Sequence, residues 1–314
     1  VAEAACNAGT DVPHWRDWIA HEGKDGWWVK TDLDPQFSGA RAPALVLGGW
    51  YDLYSSDTFT SWEAYRTRGA GGVATSRVVV GPWPHNLSAS PITGGVDFGN
   101  GSMLDLATLE LRWFDRWLRD QDNGVDREPP VKIFLMGANE WRDSPTWPLP
   151  GTEPREWYLH SGGHANTVVG DGGLSPARPD AHEPADTYTY DPCYPVPTKG
   201  GPNCCQPEII PWGPYDQRDV EMRPDVLVYS SEPLEQDLVV AGPIKVILYA
   251  STDGPDTDWT AKLVDVRPSG FAMNLCDGII RARWRDGGTL LLHRSTYLGF
   301  SDFLRSVLEC GVFL

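Results

Sequence analysis

The sequence holds no run of about 18 consecutive apolar residues, which argues against a membrane-spanning helix. Its first residue is Val1, with no basic segment leading into an apolar one, so no signal peptide is visible and the compartment stays open. The expectation is that processing or truncation removed the true start. Basic residues are scarce: 26 Lys and Arg stand against 43 Asp and Glu, a net charge of −17. A phosphate backbone would be repelled on average, so neither nucleic acid nor a membrane is expected as a partner. The six cysteines (Cys6, Cys193, Cys204, Cys205, Cys276, Cys310) lack the paired C-x-x-C spacing of a zinc site. They are expected to be buried or free thiols, with a bridge from Cys193 to Cys204 or Cys205 as the alternative. The 33 Gly and 27 Pro make up roughly a fifth of the chain, below the share that marks low-complexity sequence. What remains is an acidic chain of 314 residues, 41% hydrophobic, long enough for about two domains.

Residues 1–40 are rich in Trp and charge, and Trp15, Trp18 and Ile19 lie at helical spacing, which predicts a short amphipathic helix resting on something larger. From Pro43 the texture changes. Pro43–Gly48 and Arg77–Val80 are short apolar runs bounded by Gly and Pro, as expected of strands buried on both faces in a parallel sheet. Between them, Ser55-Ser56-Asp57 offers N-cap chemistry ahead of Phe59, Trp62 and Tyr65, and Gly69 to Gly72 ends that helix. Strand, loop, helix and strand in this order make one crossover unit. A stronger helix follows, with Leu104, Ala107, Leu111, Phe114 and Leu118 forming one apolar stripe. Beyond a linker at Gln121–Pro130 the period switches to two. Val131–Met136, Glu156–Leu159, Thr187–Tyr190, Val226–Tyr229, Ile244–Tyr249, Trp259–Val266 and Ile279–Trp284 read as strands without intervening helices, which points to a sandwich or jelly roll.

The crossover unit places two loops at one edge of the sheet, at the carboxyl ends of strands where ligands of open α/β sheets bind. The first strand runs into Gly49-Trp50-Tyr51-Asp52 and the second into Gly81-Pro82-Trp83-Pro84-His85. Asp52 and His85 are 33 residues apart, one loop–helix–strand crossover, and their order suits a hydrolase whose nucleophile precedes its acid and its histidine. An imidazole can take the proton of a hydroxyl nucleophile while a carboxylate on its other nitrogen fixes the tautomer. A loop Asp also caps helices and a loop His also bonds backbone, so spacing alone leaves both readings open.

Several motifs narrow the choice. Pro43-Ala44-Leu45 ahead of Gly49-Trp50-Tyr51-Asp52, together with Gly81-Pro82-Trp83-x-His85, resembles the acid and base loops of the cocaine esterase/X-prolyl dipeptidyl peptidase group (CocE/NonD-type hydrolases). Further matches are Leu111-Arg112-Trp113-Phe114-Asp115-Arg116-Trp117-Leu118, Met136-Gly137-x-Asn139-x-Trp141-Arg142 and Trp147-Pro148-Leu149-Pro150. Asp191-Pro192 before Pro195-Val196-Pro197, and Asp256-Thr257-Asp258 before Ala261–Val266, agree as well. The resemblance runs from about Trp15 to about Arg285. It implies a fold in three parts: residues 1–40 as the remnant of a helical cap, 41–125 as the C-terminal half of an α/β-hydrolase parallel-sheet domain, and 126–314 as an all-β jelly-roll (galactose-binding-like) sandwich, incomplete at its C-terminus. It also implies hydrolysis of small ester, amide or X-Pro peptide substrates through an acyl-serine, without cofactor or metal, with Asp52 as acid and His85 as base. Tyr54, Cys204 and Cys205 look like the positions that line the acyl pocket, and Trp50 and Trp83 flank the site and could touch substrate.

Two departures stand out. No G-x-S-x-G elbow occurs in the sequence; at Gly101-Ser102, Leu104 stands where the closing Gly belongs. The expectation is therefore a hydrolase part lacking its nucleophile and oxyanion donors, inert alone and dependent on a missing N-terminal catalytic segment. Second, Gly287–Leu314 is Leu-rich with Tyr297, Phe300, Phe303 and Leu304 at helical spacing, which suggests a shifted reading frame or a terminal helix. Weaker signals read plainly. Asp253, Asp256 and Asp258 lack the calcium-loop spacing and read as a solvated turn. Asn86-Leu87-Ser88 and Asn100-Gly101-Ser102 are glycosylation sequons that matter only in a secreted protein. His14, His21, His160, His164, His182 and His293 form no metal-binding pattern. The competing hypotheses are a non-enzymatic jelly-roll module that binds carbohydrate or peptide, and a partial product whose open sheet edge makes it aggregate.

Overall fold

The runs at Pro43–Gly48 and Arg77–Val80 become neighbouring parallel strands, because their side chains are apolar on both faces and the one exception, Arg77, is buried with an ion-pair partner in Glu128. The computed structural model describes residues 13–23 and 25–285, and the backbone of 296–299, 302–303 and 309–312. Strand β1 (Leu45–Tyr51) pairs in parallel with β2 (Arg77–Pro84), which is buried along its whole length. Helix α2 (Ser55–Arg68) makes the crossover, following α1 (Pro13–Ala20), and buries Phe59 and Trp62. Tyr54 occupies its N-cap position with no side-chain cap, so the capping expected of Ser55-Ser56-Asp57 is not made; Gly69 does end the helix.

The sheet continues across the expected linker. β5 (Val131–Leu135) lies parallel to β2, and β6 (Glu140–Ser144) returns antiparallel to β5, giving the order β1-β2-β5-β6. The strand β5 therefore extends the first sheet rather than opening the second. Between β2 and β5 lie the short pair β3 (Ile92–Thr93) and β4 (Val96–Asp97) and helix α3 (Leu106–Arg119).

Helix α3 carries most of the apolar stripe read from the sequence. Its apolar stripe faces outward: Leu111, Phe114 and Leu118 are 60%, 53% and 76% exposed. The inward face is carried by buried Trp113, which meets Trp117 ring to ring. Arg112 on the same side reaches Glu128, which also pairs with buried Arg77 of β2. Burial works to raise the Glu128 carboxyl, but the hydrogen bond from Arg112 and the charge of Arg77 outweigh it and hold it below its ordinary 4.5. A depressed carboxyl stabilises the fold above the unfolded pKa, and the contribution disappears as pH falls through the lower folded value. Glu128→Gln is expected to cost about 2 kcal/mol at pH 7 by urea denaturation, through lost charged hydrogen bonds to a buried guanidinium, and much less at pH 3.

The second sheet has the order β13-β12-β16-β9-β8-β7, formed by β7 (Tyr158–His160), β8 (Gly173–Ser175), β9 (Leu227–Ser230), β12 (Asp258–Val266), β13 (Ala272–Arg281) and β16 (Glu309–Val312). Short helix α4 (Arg218–Glu221) precedes β9. Its pairings are antiparallel except β8 with β9. Two-stranded ladders join β10 (Pro243–Ile244) to β15 (Asp302–Phe303) and β11 (Ile247–Ala250) to β14 (Thr296–Gly299). The single strand expected at Ile244–Tyr249 is thus broken in two. Thr187–Tyr190 forms no strand; the Thr187 carbonyl accepts from the Asn166 side chain instead of a neighbouring strand.

The C-terminal stretch also differs from expectation. Where its backbone is described it is extended, not helical, and β16 fills the space between β12 and β9. Two open edges needing partners outweigh a helical apolar period. Tyr297 and Phe303 fall in these strands, while Phe300 and Leu304 lie outside the described residues, as do Cys6 and His293. One core joins both sheets: Val78, Val80, Ile133 and Phe134 share it with Leu263, Met273 and Leu275. Near the first residues, Trp18 and Ile19 of α1 are 44% and 52% exposed, so the amphipathic face expected there is uncovered among the described residues. No described helix is long and apolar enough to cross a membrane.

Candidate active site

The end of β1 is shaped by close backbone approach. A Cβ on Gly49 would lie 2.0 Å from the Trp83 carbonyl oxygen, so only glycine lets the two strand exits converge. The chain then turns: the Asp52 amide donates to the Gly49 carbonyl at 3.1 Å, and the Ser55 amide to the Asp52 carbonyl at 3.0 Å. The other exit is pinned by the Ser88 hydroxyl, which donates to the Leu104 carbonyl at 2.9 Å and accepts from the Leu104 amide at 2.8 Å.

These two turns bring Asp52 and His85 together. Both Asp52 carboxylate oxygens stand 3.2 Å from His85 Nδ1. The Tyr54 amide donates to Asp52 Oδ1 at 2.9 Å, which fixes the carboxylate from its other side. The Asp52 side chain is 7% exposed and that of His85 48%. A carboxylate only accepts hydrogen bonds, so Nδ1 carries the proton toward it and Nε2, on the far edge of a half-exposed ring, keeps its lone pair. A hydroxyl arriving at Nε2 would find a base; the constellation can accept and return a proton.

The proposed lining positions divide. Tyr54 is 53% exposed and sets its ring edge-on to His85, with centroids 5.7 Å apart. Trp50 and Trp83 do not flank an opening. They are 3% and 1% exposed, and their indole N–H groups donate to the Phe134 carbonyl at 2.7 Å and the Ser102 carbonyl at 3.1 Å. Trp50 stacks on Phe59, and Trp83 meets Trp141. Both are core residues, because an indole whose donor is satisfied inside gains nothing by turning outward. Cys204 and Cys205 are bonded to each other, and Cys193 is a free, exposed thiol, which replaces the bridge considered from Cys193. Asp256 and Asp258 pair with Arg283 and Arg281, as suits a turn rather than a cation loop. Among the described residues no group of three or more His, Cys, Asp or Glu could hold a metal ion.

Sequence reasoning missed two features. Asn274, fully buried on β13, accepts from the Tyr215 amide at 2.7 Å through its side chain and from the Tyr51 hydroxyl at 3.0 Å through its carbonyl. Burial pushes the Tyr51 phenol well above its ordinary value, so it stays a neutral donor. This ties the residue preceding Asp52 to the second sheet across 223 positions, a pairing no local pattern announces. Asn274→Ala is expected to cost about 2–3 kcal/mol, because it strands the Tyr215 amide, with the loss read from denaturant midpoints.

The second feature is a triad-like cluster, in which Ser175 Oγ lies 3.1 Å from His160 Nε2 and Glu183 Oε1 lies 2.9 Å from His160 Nδ1. The Ala177 carbonyl, 2.9 Å from the same Nε2, decides against catalysis there. A carbonyl can only accept, so Nε2 donates to it and cannot take the Ser175 proton. The cluster holds structure at the edge of the second sheet, and His160 keeps the Glu183 carboxyl below its usual range.

Parallel strands delivering an aspartate and a histidine to one edge are the arrangement of the α/β-hydrolase class. The family model for X-Pro dipeptidyl-peptidase (S15 family) matches residues 2–86, which contain both side chains. That for the X-Pro dipeptidyl-peptidase C-terminal non-catalytic domain matches residues 123–289. The cocaine esterase of Rhodococcus sp. (strain MB1 Bresler) is 39% identical over 274 residues, covering 85% of this chain and 46% of that protein. A solved α-amino acid ester hydrolase superposes with a TM-score of 0.77 at 27% identity, over 99% of this chain and 54% of its own. An aminopeptidase from the marine sediment archaeon Thaumarchaeota archaeon shares the fold, with a TM-score of 0.75 at 24% identity over 98% of this chain and 53% of its own. The chain belongs to the CocE/NonD family, hydrolases of the serine esterase and X-Pro dipeptidyl-peptidase type. It spans less than half the length of the curated relatives it matches.

Proposed function

We propose that this chain supplies the acid and the base of a serine-hydrolase triad. His85 acts first as general base toward a serine hydroxyl and then as general acid toward the leaving group, and Asp52 holds the imidazole in the Nδ1–H tautomer. The observation that carries this reading is the pair of 3.2 Å distances from His85 Nδ1 to the two Asp52 oxygens, at the ends of adjacent parallel strands. The serine and the oxyanion donors come from further polypeptide that meets this one. The substrate class is a small ester, amide or X-Pro peptide carbonyl, in keeping with the names of the relatives. Tyr54, beside His85, would border the acyl group, and the β-sheet domain, read as a jelly roll, would wall it.

The uncovered stripe of α3 and the outer edge of β1, unpaired among the described residues, support a chain that meets further polypeptide there. The test compares two proteins on an activated ester. The chain alone is expected to show no burst and no turnover, because without the nucleophile there is no acyl-enzyme route. The chain fused behind the nucleophile-bearing segment of a family relative is expected to turn over. Turnover by the chain alone that is lost in His85→Ala would overturn the reading.

A further inference from the structure

We propose that the Cys204–Cys205 disulfide is a thiol-reducible site, and that opening it loosens both its own loop and the connection that carries His85. The bond joins neighbours in sequence. A cross-link stabilises a fold largely by closing a long loop in the unfolded chain, and this one closes none, so its presence is not explained as a structural staple. It does hold Cys205 at φ +80°, a left-handed conformation that a residue with a side chain rarely adopts. Cys205 is exposed and Cys204 half-buried, which leaves the sulfurs open to an attacking thiolate.

The loop is tied at its base to the active-site side of the molecule. Gly201 and Gly213 exchange backbone hydrogen bonds of 2.8 and 3.0 Å. Beyond them the Gly95 amide donates to the Pro214 carbonyl at 2.7 Å. The packing there is tight enough that a Cβ on Gly213, at φ +95°, would lie 2.7 Å from Thr93 Cγ2 and 2.8 Å from the Gly94 amide nitrogen. Thr93, Gly94 and Gly95 belong to the same connection as His85, between β2 and β4. A change in the backbone at Cys205 is therefore passed through a few glycine contacts to the segment that follows the base.

The reductant is a dithiol. One of its thiolates attacks a sulfur of the bridge, forming a mixed disulfide and releasing the other cysteine as a thiolate. Its second thiol then displaces the remaining cysteine. Two electrons and two protons pass to Cys204 and Cys205, and the reductant leaves as its own disulfide.

The test uses the full 314-residue chain and reads no enzymatic activity, so its outcome is separate from that of the triad assignment. In aerated buffer, N-ethylmaleimide is expected to modify Cys193 and to spare Cys204 and Cys205; after dithiothreitol, peptide mapping should find both modified. Amide hydrogen exchange across residues 203–212 and at 93–97 should then rise at least about threefold, and β12 should be unchanged, as local opening requires. Cys204→Ser and Cys205→Ser should show the faster exchange without reductant. Modification of both cysteines before reduction would overturn the proposal. So would reduction that leaves exchange at 93–97 unaltered, a measurement on the unmutated chain that does not depend on the variants folding.

Discussion

His85→Ala, made in the chain joined to a nucleophile-bearing segment, is expected to lower kcat on an activated ester by about a million-fold. The size follows from the role. Without an imidazole at the end of β2 the serine hydroxyl keeps its proton, and what remains is binding and oxyanion stabilisation by other parts of the enzyme. Glycine at Gly49 and the short turn to Asp52 hold the partner carboxylate in place whether or not the ring is there, so little structural loss should accompany the kinetic one. The check is steady-state kinetics beside a denaturation curve. A fall in rate with an unchanged midpoint supports a chemical role, and equal losses of folded protein and activity would oppose it.

Asp52→Asn should be the next largest, at about ten thousand-fold in kcat. The amide is nearly isosteric, and its oxygen can still accept from the Tyr54 amide, as Oδ1 does now at 2.9 Å. What changes is the face toward Nδ1, where the amide N–H₂ can be presented. The ring then adopts the tautomer whose lone pair lies on the wrong nitrogen. The loss should appear in kcat with KM little altered, because Asp52 is 5% exposed and lies behind His85 rather than against substrate. A change in KM alone would assign Asp52 to binding instead.

Much of the sheet that carries these residues was legible. Val78–Val80 is apolar without interruption, and its strand is buried on both faces as such a run demands. The exits at Asp52 and His85 followed from the crossover length. The failures have common physical causes. Apolar periodicity says that a face wants covering and not which polypeptide covers it, so the stripe of Leu111, Phe114 and Leu118 gave the helix but not its surroundings. Position beside a site does not give direction. Trp50 and Trp83 neighbour the two exits in sequence, yet they lie in strand ends buried on both faces, where interior carbonyls satisfy their indole donors. The extended backbone at β14, β15 and β16 reflects ladders that needed partners, which an isolated helical period does not report. Ser175, His160 and Glu183 show the converse. Triad residue types at triad distances are neutralised by one carbonyl, that of Ala177, which only coordinates reveal.

In the proposed triad Asp52 dictates which His85 nitrogen holds the proton, and nitrogen NMR of the histidine rings at neutral pH measures this directly. The neutral His85 ring should carry its proton on Nδ1 and should lose that preference in Asp52→Asn. A ring protonated on Nε2, or one whose tautomer ignores the Asp52→Asn change, would contradict it.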